Sequence, residues 1–216
     1  MSKVIEYFQH VRKEMLCYIP AGSSHIVDIG CGAGSFGELL KHDEDVEVWG
    51  VEYNPAAAEE ARTVLDRVLT GSAESALSEL PQQYFDCVVF NDVLEHLVDP
   101  YTVLDRAKSL LTPAGVVVAS IPNARHWPVF VDYVFKGNWE YRNQGVLDKT
   151  HLRFFTKNSI LKTFDRCGYE VLNIEGINPY YSRWQKLACL ATANRLEDTK
   201  YLQFAVVAHP RTMESL

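Results

Sequence analysis

The sequence predicts an α/β protein built on a doubly wound, mostly parallel sheet with helices on both faces. Three observations carry that expectation. Short apolar runs such as Val116-Val117-Val118-Ala119-Ser120-Ile121 read as strands buried on both sides. They alternate with segments whose apolar residues recur every three or four positions, the period of a helix packed along one side. A glycine cluster, Gly30 to Gly34, stands between the first strand-like run and the helical segment after it. The 216 residues suit one domain of generous size, taken as 1–216.

In chain order, Val4, Tyr7, Phe8, Val11 and Met15 repeat at helical spacing, and Pro20 and Gly22 close that helix. His25 to Ile29 is a β-branched strand, and Phe36 to Leu40 a helix after the glycines. Val46 to Glu52 alternates as a second strand. Asn54-Pro55 then opens a helix, Asn as cap and Pro at the first position. Leu65 to Thr70 and Phe85 to Phe90 are the third and fourth strands. A helix runs from about Pro100 to Leu111, Thr112-Pro113-Ala114-Gly115 is a turn, and Val116 to Ile121 is the fifth strand. Thr156 or Asn158 caps a helix ending near Cys167-Gly168, and Val171 to Ile177 and Phe204 to Ala208 are the last strands. Two stretches break the alternation. Residues 122–155 are long, irregular and rich in aromatics, as expected of a lid over a site, and 178–199 form a second insertion between the last two strands.

Composition narrows the function classes. A net charge of −7 gives no general attraction to phosphate backbones, which excludes a dedicated DNA binder and disfavours RNA. Five scattered cysteines form no Cys-x-x-Cys pair, so neither a zinc ribbon nor a disulfide framework is expected, and a reducing cytoplasm is the expected location. The first residues mix charges with apolar side chains, unlike a secretory signal, and no run approaches the length of a membrane span.

The glycine loop points to a ligand. Gly30, Gly32 and Gly34 allow a sharp turn and close backbone approach, and the helix behind them offers unpaired N–H groups to a negative group. Glu52, about 20 residues on at the end of the next strand, is placed to hold a ribose diol, so an adenosine-containing ligand is expected. Gly32 to Gly37 also fits the dinucleotide pattern G-x-G-x-x-G, which keeps a nicotinamide-dependent oxidoreductase as a rival reading. Asp28 opposes it, because a carboxylate just before the loop repels a pyrophosphate but pairs with an ammonium group.

The stretches IVDIGCGAGSFGELL, VEYNPAA, FDCVVFNDVLEHLVDP and LLTPAGVVVASIPN, in that order, resemble the class I S-adenosylmethionine-dependent methyltransferases over about residues 24–177. The resemblance implies a Rossmann-like sheet of seven strands with the last antiparallel, and S-adenosylmethionine as cofactor. By the same likeness Asp28, Gly30, Cys31, Gly32 and Gly34 line the methionine side, Glu52 binds the ribose hydroxyls and Tyr53 flanks the adenine. Ser72 stands where the family often has an acid reading the adenine amino group, so Ala73 or Glu74 is expected to substitute. Asn91, Asp92 and Val93 would lie under the reactive sulfonium. A relative that keeps the cofactor site without catalysis is a further rival.

Methyl transfer to a hydroxyl calls for orientation and a base. Asp92, Glu95 and His96 share one-turn spacing. In some relatives, including ubiquinone-pathway and small-RNA 2′-O-methyltransferases, a similar motif binds a divalent metal, to which His151 would add a ligand. Metal-free relatives carry the same Leu-Glu-His as a local tie between strand and helix, and this is the favoured expectation. In the 122–155 insertion, Arg125, Trp127, Trp139, Tyr141, Arg142 and Arg153 are expected to contact the acceptor. Asp148 is expected to orient His151, and His151 or His96 to act as base. The insertion is similar to a bacterial subfamily associated with surface-polysaccharide and glycosyl-transfer pathways. That likeness implies a sugar hydroxyl as acceptor, with a quinone-like compound, an amine or an RNA 2′-hydroxyl as alternatives. In residues 180–196, Trp184, Leu187, Ala188 and Ala191 form an apolar stripe beside Arg183, Lys186 and Arg195. The stripe is expected to pack on the sheet or at a homodimer contact, or else to touch a membrane surface; monomer and homodimer both stay open.

Overall fold

The computed structural model describes residues 12–42 and 45–211. The helix expected from Val4 therefore lies outside the described residues up to Val11, and the adjoining Lys13–Tyr18 is a short 3-10 helix. The sheet has seven strands: β1 His25–Ile29, β2 Glu47–Glu52, β3 Arg67–Thr70, β4 Phe85–Asn91, β5 Leu111–Pro122, β6 Tyr169–Pro179 and β7 Tyr201–Pro210. They run in the order β3-β2-β1-β4-β5-β7-β6. β1 to β5 pair in parallel, and β7 runs antiparallel between β5 and β6.

The helices are α1 Ser35–Leu40, α2 Pro55–Ala61, α3 Ala73–Ala76, α4 Pro100–Ala107, α5 Trp127–Lys136, α6 Lys157–Arg166 and α7 Arg183–Ala191. Their starts follow local capping chemistry. Asn54 accepts hydrogen bonds from the Ala56 and Ala57 amides, and Asp99 from those of Tyr101 and Thr102, each with Pro at the first helical position. Thr156 and Ser159 form a reciprocal capping box at α6.

Alternation along the central strands divides the core between two faces. Val27, Ile29, Val88 and Phe90 pack in one layer with Leu104, Ile160 and Phe164, while Ile26, Cys87 and Val89 pack in the other with Met15 and Phe36. Each fully buried large apolar side chain contributes about 1.5–3 kcal/mol relative to exposure, so the doubly covered sheet is the rigid base for everything at its edges.

Three sequence expectations are revised. Thr112 to Gly115 is not a separate turn but the first part of β5. The register passes from Phe85–Leu111 to Cys87–Val116, so these residues bulge out of the ladder. The 122–155 insertion is not irregular throughout, because α5 occupies its first part and ends at Gly137, whose φ of 62° is left-handed. The stripe in 180–196 does not pack on the sheet. α7 buries Gln185 and Cys189 and leaves Trp184, Leu187 and Leu190 exposed.

Between β1 and β4 the strand order reverses direction. In an open parallel sheet that switch point opens a crevice at the carboxyl ends of the strands, where ligands bind.

Candidate active site

The β1–α1 loop and the end of β2 form one wall of this crevice. The amides of Gly30 and Cys31 donate to the Val51 carbonyl at 2.7 and 3.1 Å, tying the loop to β2. Glu52, buried, accepts from the Gly32 amide at 2.9 Å through one oxygen and from the Asn54 amide at 2.7 Å through the other. The carboxylate is thus fixed in place with lone pairs left over for a diol. Gly30 has φ +79°, and a Cβ there would lie 2.6 Å from Val93 Cγ2, just past the end of β4. Only glycine lets the loop approach β4 this closely.

Asp28, 2% exposed, has one carboxylate oxygen without a hydrogen-bond partner. Burial, and next the Glu52 carboxylate, pushes it up to about 8. A cationic group brought against Asp28 would satisfy the orphaned oxygen, and an ammonium group does so where a phosphate would not. The cradle at Gly30 and the orphaned Asp28 oxygen together fit the amino-acid end of S-adenosylmethionine, with Glu52 at the ribose. Cys31 and Gly34 complete the loop; Cys31 is buried, and its thiol is pushed up by burial, then by Asp28 and Glu52, so it stays neutral.

Tyr53, next to Glu52, is exposed. The Ser72 hydroxyl is engaged as the cap of α3, accepting from Ser75 at 3.3 Å, while Ala73 is buried under it. The Ser72 hydroxyl is thus committed to the helix cap.

Across the crevice, β4 ends at Asn91, and Asp92 and Val93 follow it. Both side-chain polar atoms of Asn91 are buried and without a partner. Asp92 has a left-handed φ of +55°. It is held from three sides: by Ser120 at 3.2 Å, by the amide of Gln203, and by the guanidinium of Arg12. Burial raises its pKa while Arg12 opposes the rise. Asp92 faces Arg12 and stands outside the cluster formed by Glu95, His96 and His151, which corrects its expected place among metal ligands. Arg12 and Gln203 were not anticipated, and no local pattern links Arg12 to a residue 80 positions away.

Glu95, His96 and His151 each offer one ligand atom, all within 4.8 Å of one another. Glu95 is 1% exposed and neither carboxylate oxygen has a hydrogen-bond partner. Burial, and next the Asp92 carboxylate, holds its carboxyl well above the usual range. The 146–153 segment docks on this turn, with the Leu152 and Arg153 amides donating to the Glu95 carbonyl. His151 Nδ1 pairs with the Val146 carbonyl at 3.0 Å and His96 Nδ1 with the Thr150 carbonyl at 3.2 Å. Carbonyls only accept, so both rings donate through Nδ1, and in the neutral form of each ring the lone pair sits on Nε2. The His151 Nε2 lies 4.0 Å from Glu95. Burial, reinforced by His151, pushes His96 below its ordinary value.

Asp148 does not orient His151 as expected. Its carboxylate accepts from the amide and hydroxyl of Thr150 at 2.8 and 2.6 Å, bracing the turn that carries His151. The arginines are likewise engaged within the chain. Arg125 bridges Asp198 and the Arg195 carbonyl, Arg142 pairs with Asp132, and Arg153 donates to the Val98 carbonyl. Trp127 is buried against Phe130. Trp139 and Tyr141 remain exposed, ringed about Phe154, which touches His151 edge-on. Of the six acceptor candidates, these two aromatics combine exposure with a chain of ring contacts leading to His151.

The family described as "methyltransferase domain" matches residues 2–174. Fold and loop define the class, that of the class I S-adenosylmethionine-dependent methyltransferases, and the chain belongs to this methyltransferase-domain family. A trans-aconitate 2-methyltransferase from Methylobacterium radiotolerans is 34% identical over 112 residues, covering 51% of this chain and 43% of that protein. A ubiquinone biosynthesis O-methyltransferase from Nitrobacter winogradskyi is 30% identical over 174 residues, 74% of this chain and 62% of that protein. The chain thus matches less than two thirds of either relative's length. The crystal structure of a SAM-dependent methyltransferase from Archaeoglobus fulgidus shares the fold at a TM-score of 0.71 and 21% identity, covering 95% of this chain and 97% of that one. No helix among the described residues is long and apolar enough to cross a membrane.

Proposed function

We propose that the protein transfers a methyl group from S-adenosylmethionine to a hydroxyl oxygen of a small-molecule or glycan acceptor. The observation that carries this reading is the cluster of buried Glu95 and His151 with half-buried His96, just past the end of β4, the strand paired with the β1 strand that carries Asp28. When bound, S-adenosylmethionine supplies an electrophilic methyl group on a sulfonium. Asp28 pairs with its ammonium group, Glu52 accepts from the ribose hydroxyls, and the Gly30–Val93 approach sets the depth of the site. His151 Nε2 takes the acceptor's hydroxyl proton, its tautomer fixed by the Val146 carbonyl. Trp139 and Tyr141 offer faces for a sugar ring, and a sugar hydroxyl is the favoured acceptor, as the subfamily likeness of 122–155 suggests. The name of the ubiquinone relative keeps a quinol-like hydroxyl as the alternative. The reading includes a single domain with 122–155 covering the acceptor, and a cytoplasmic location, to which five free cysteines are suited.

The orphaned Glu95 carboxylate favours a second reading of the same cluster. Glu95, His96 and His151 would hold a divalent cation, which lowers the pKa of a bound hydroxyl. The test joins both. His151→Ala is expected to lower kcat by about 100-fold or more while S-adenosylhomocysteine affinity changes less than twofold. Equal losses in both would refute the base. Bound metal in the purified protein, with turnover abolished by a chelator, would assign the cluster to a cation.

A further inference from the structure

α7 is amphipathic in the reverse of the usual sense. A surface helix normally turns its apolar side toward the core. Here Gln185 and Cys189 face inward, with the Gln185 amide bonded to the Leu196 carbonyl at 3.2 Å and to the Thr199 hydroxyl at 3.4 Å. The outward side carries Trp184, Leu187 and Leu190, the first and last 76% and 75% exposed, and Tyr181 leads into it. These positions are spaced by three residues, so they form one continuous stripe rather than scattered apolar residues.

The charges around the stripe favour an anionic partner. Arg183, Lys186 and Arg195 are exposed and enter no ion pair among the described residues. The acids nearest in sequence are already matched, Glu197 with Lys200 at 2.6 Å and Asp198 with Arg125 at 3.0 Å. Three unmatched cations thus border an apolar stripe on a chain whose net charge is −7. An anionic surface would attract this face and repel the rest, which fixes the orientation of docking.

We propose that α7 with Tyr181 is a docking surface for an anionic lipid bilayer. Trp184, Leu187 and Leu190 enter the interface, and Arg183, Lys186 and Arg195 reach the headgroups along flexible stems. The inference is independent of the methyl acceptor, since it concerns where the protein sits and not what it modifies.

The test is co-sedimentation of the full chain with vesicles of phosphatidylglycerol and phosphatidylcholine, against vesicles of phosphatidylcholine alone. Binding is expected to the anionic vesicles and to weaken with salt. Two variants, Leu187→Ser/Leu190→Ser and Arg183→Glu/Lys186→Glu, are each expected to lose about tenfold or more, since each basic residue near such a surface is worth several-fold. Both alter exposed side chains, and unchanged circular dichroism and thermal midpoint check that they fold. Failure of the wild type to bind anionic vesicles, or wild-type binding by both variants, would overturn the proposal. So would concentration-dependent dimerisation by light scattering that Leu187→Ser/Leu190→Ser abolishes while vesicle binding is unaffected, since the stripe would then face a second copy of the chain.

Discussion

Replacing Asp28 with Asn should stabilise the empty protein and disable it at once. Asp28 is buried with an orphaned oxygen, and its carboxyl is raised from the usual 3.8 to about 8. The folded state therefore holds a proton that the unfolded chain releases, and wild-type stability falls as pH rises between those two values, levelling off above about 8. Over pH 6 to 8 the loss is about 2 kcal/mol at 1.36 kcal/mol per unit, tapering near the pKa. For a chain of this size that corresponds to about 4–8 °C in Tm. Asp28→Asn removes this dependence, so its stability relative to the wild type should climb by about 2 kcal/mol from pH 6 to pH 8 in urea unfolding without ligand. Binding shows the opposite sign. An ammonium-bearing ligand selects the ionised carboxylate, so wild-type affinity for S-adenosylhomocysteine should tighten about fiftyfold over the same range. The variant should bind weakly at every pH by calorimetry. Parallel pH profiles of wild type and variant, or wild-type affinity in the variant, would refute the reasoning.

Gly30→Ala should cost about 2–4 kcal/mol, combining a left-handed backbone with overpacking against Val93. Adding Val93→Ala should restore the steric part, read from urea midpoints. Arg12→Ala leaves the half-buried Asp92 carboxylate without its guanidinium and should lose about 1–3 kcal/mol, whereas Arg12→Ala/Asp92→Asn should lose less than the two single changes summed. Glu95→Gln should stabilise the metal-free protein, and by more as pH rises from the ordinary carboxylate range toward neutral, because the folded state holds the Glu95 proton that the unfolded chain releases; urea midpoints at two pH values check this. A large loss of stability together with loss of bound metal in elemental analysis would place a cation there instead.

The doubly wound sheet was legible because its strands are short, near-continuous apolar runs, as burial on both sides requires, and they alternate along the chain with segments of helical period. Asp28, the glycine loop and Glu52 were legible because strand, turn and strand fix their spacing through local geometry alone. Thr112 to Gly115 misled because Pro113 and Gly115 carry the same turn chemistry whether the chain reverses or bulges within a ladder. α5 was hidden by its own apolar richness, since Val129, Phe130, Val131 and Tyr133 show no clean stripe and favour strand as much as helix. At the acceptor side, sequence named His96, Glu95 and His151 together but misassigned Asp148. A spacing of three places two side chains near each other without saying which carbonyl the imidazole meets, and here the Val146 carbonyl accepts a hydrogen bond from its Nδ1. Arg125, Arg142 and Arg153 looked available in sequence because their partners, Asp198, Asp132 and the Val98 carbonyl, become neighbours only through the fold.

The most direct measurement is label transfer. Purified protein incubated with methyl-labelled S-adenosylmethionine and fractionated cell extract should release S-adenosylhomocysteine and pass label to a hydroxyl-bearing glycan or quinol fraction, with His151→Ala strongly reduced. Absence of label from every fraction, in a protein that binds S-adenosylhomocysteine tightly, would contradict methyl transfer and leave a cofactor-binding protein without catalysis.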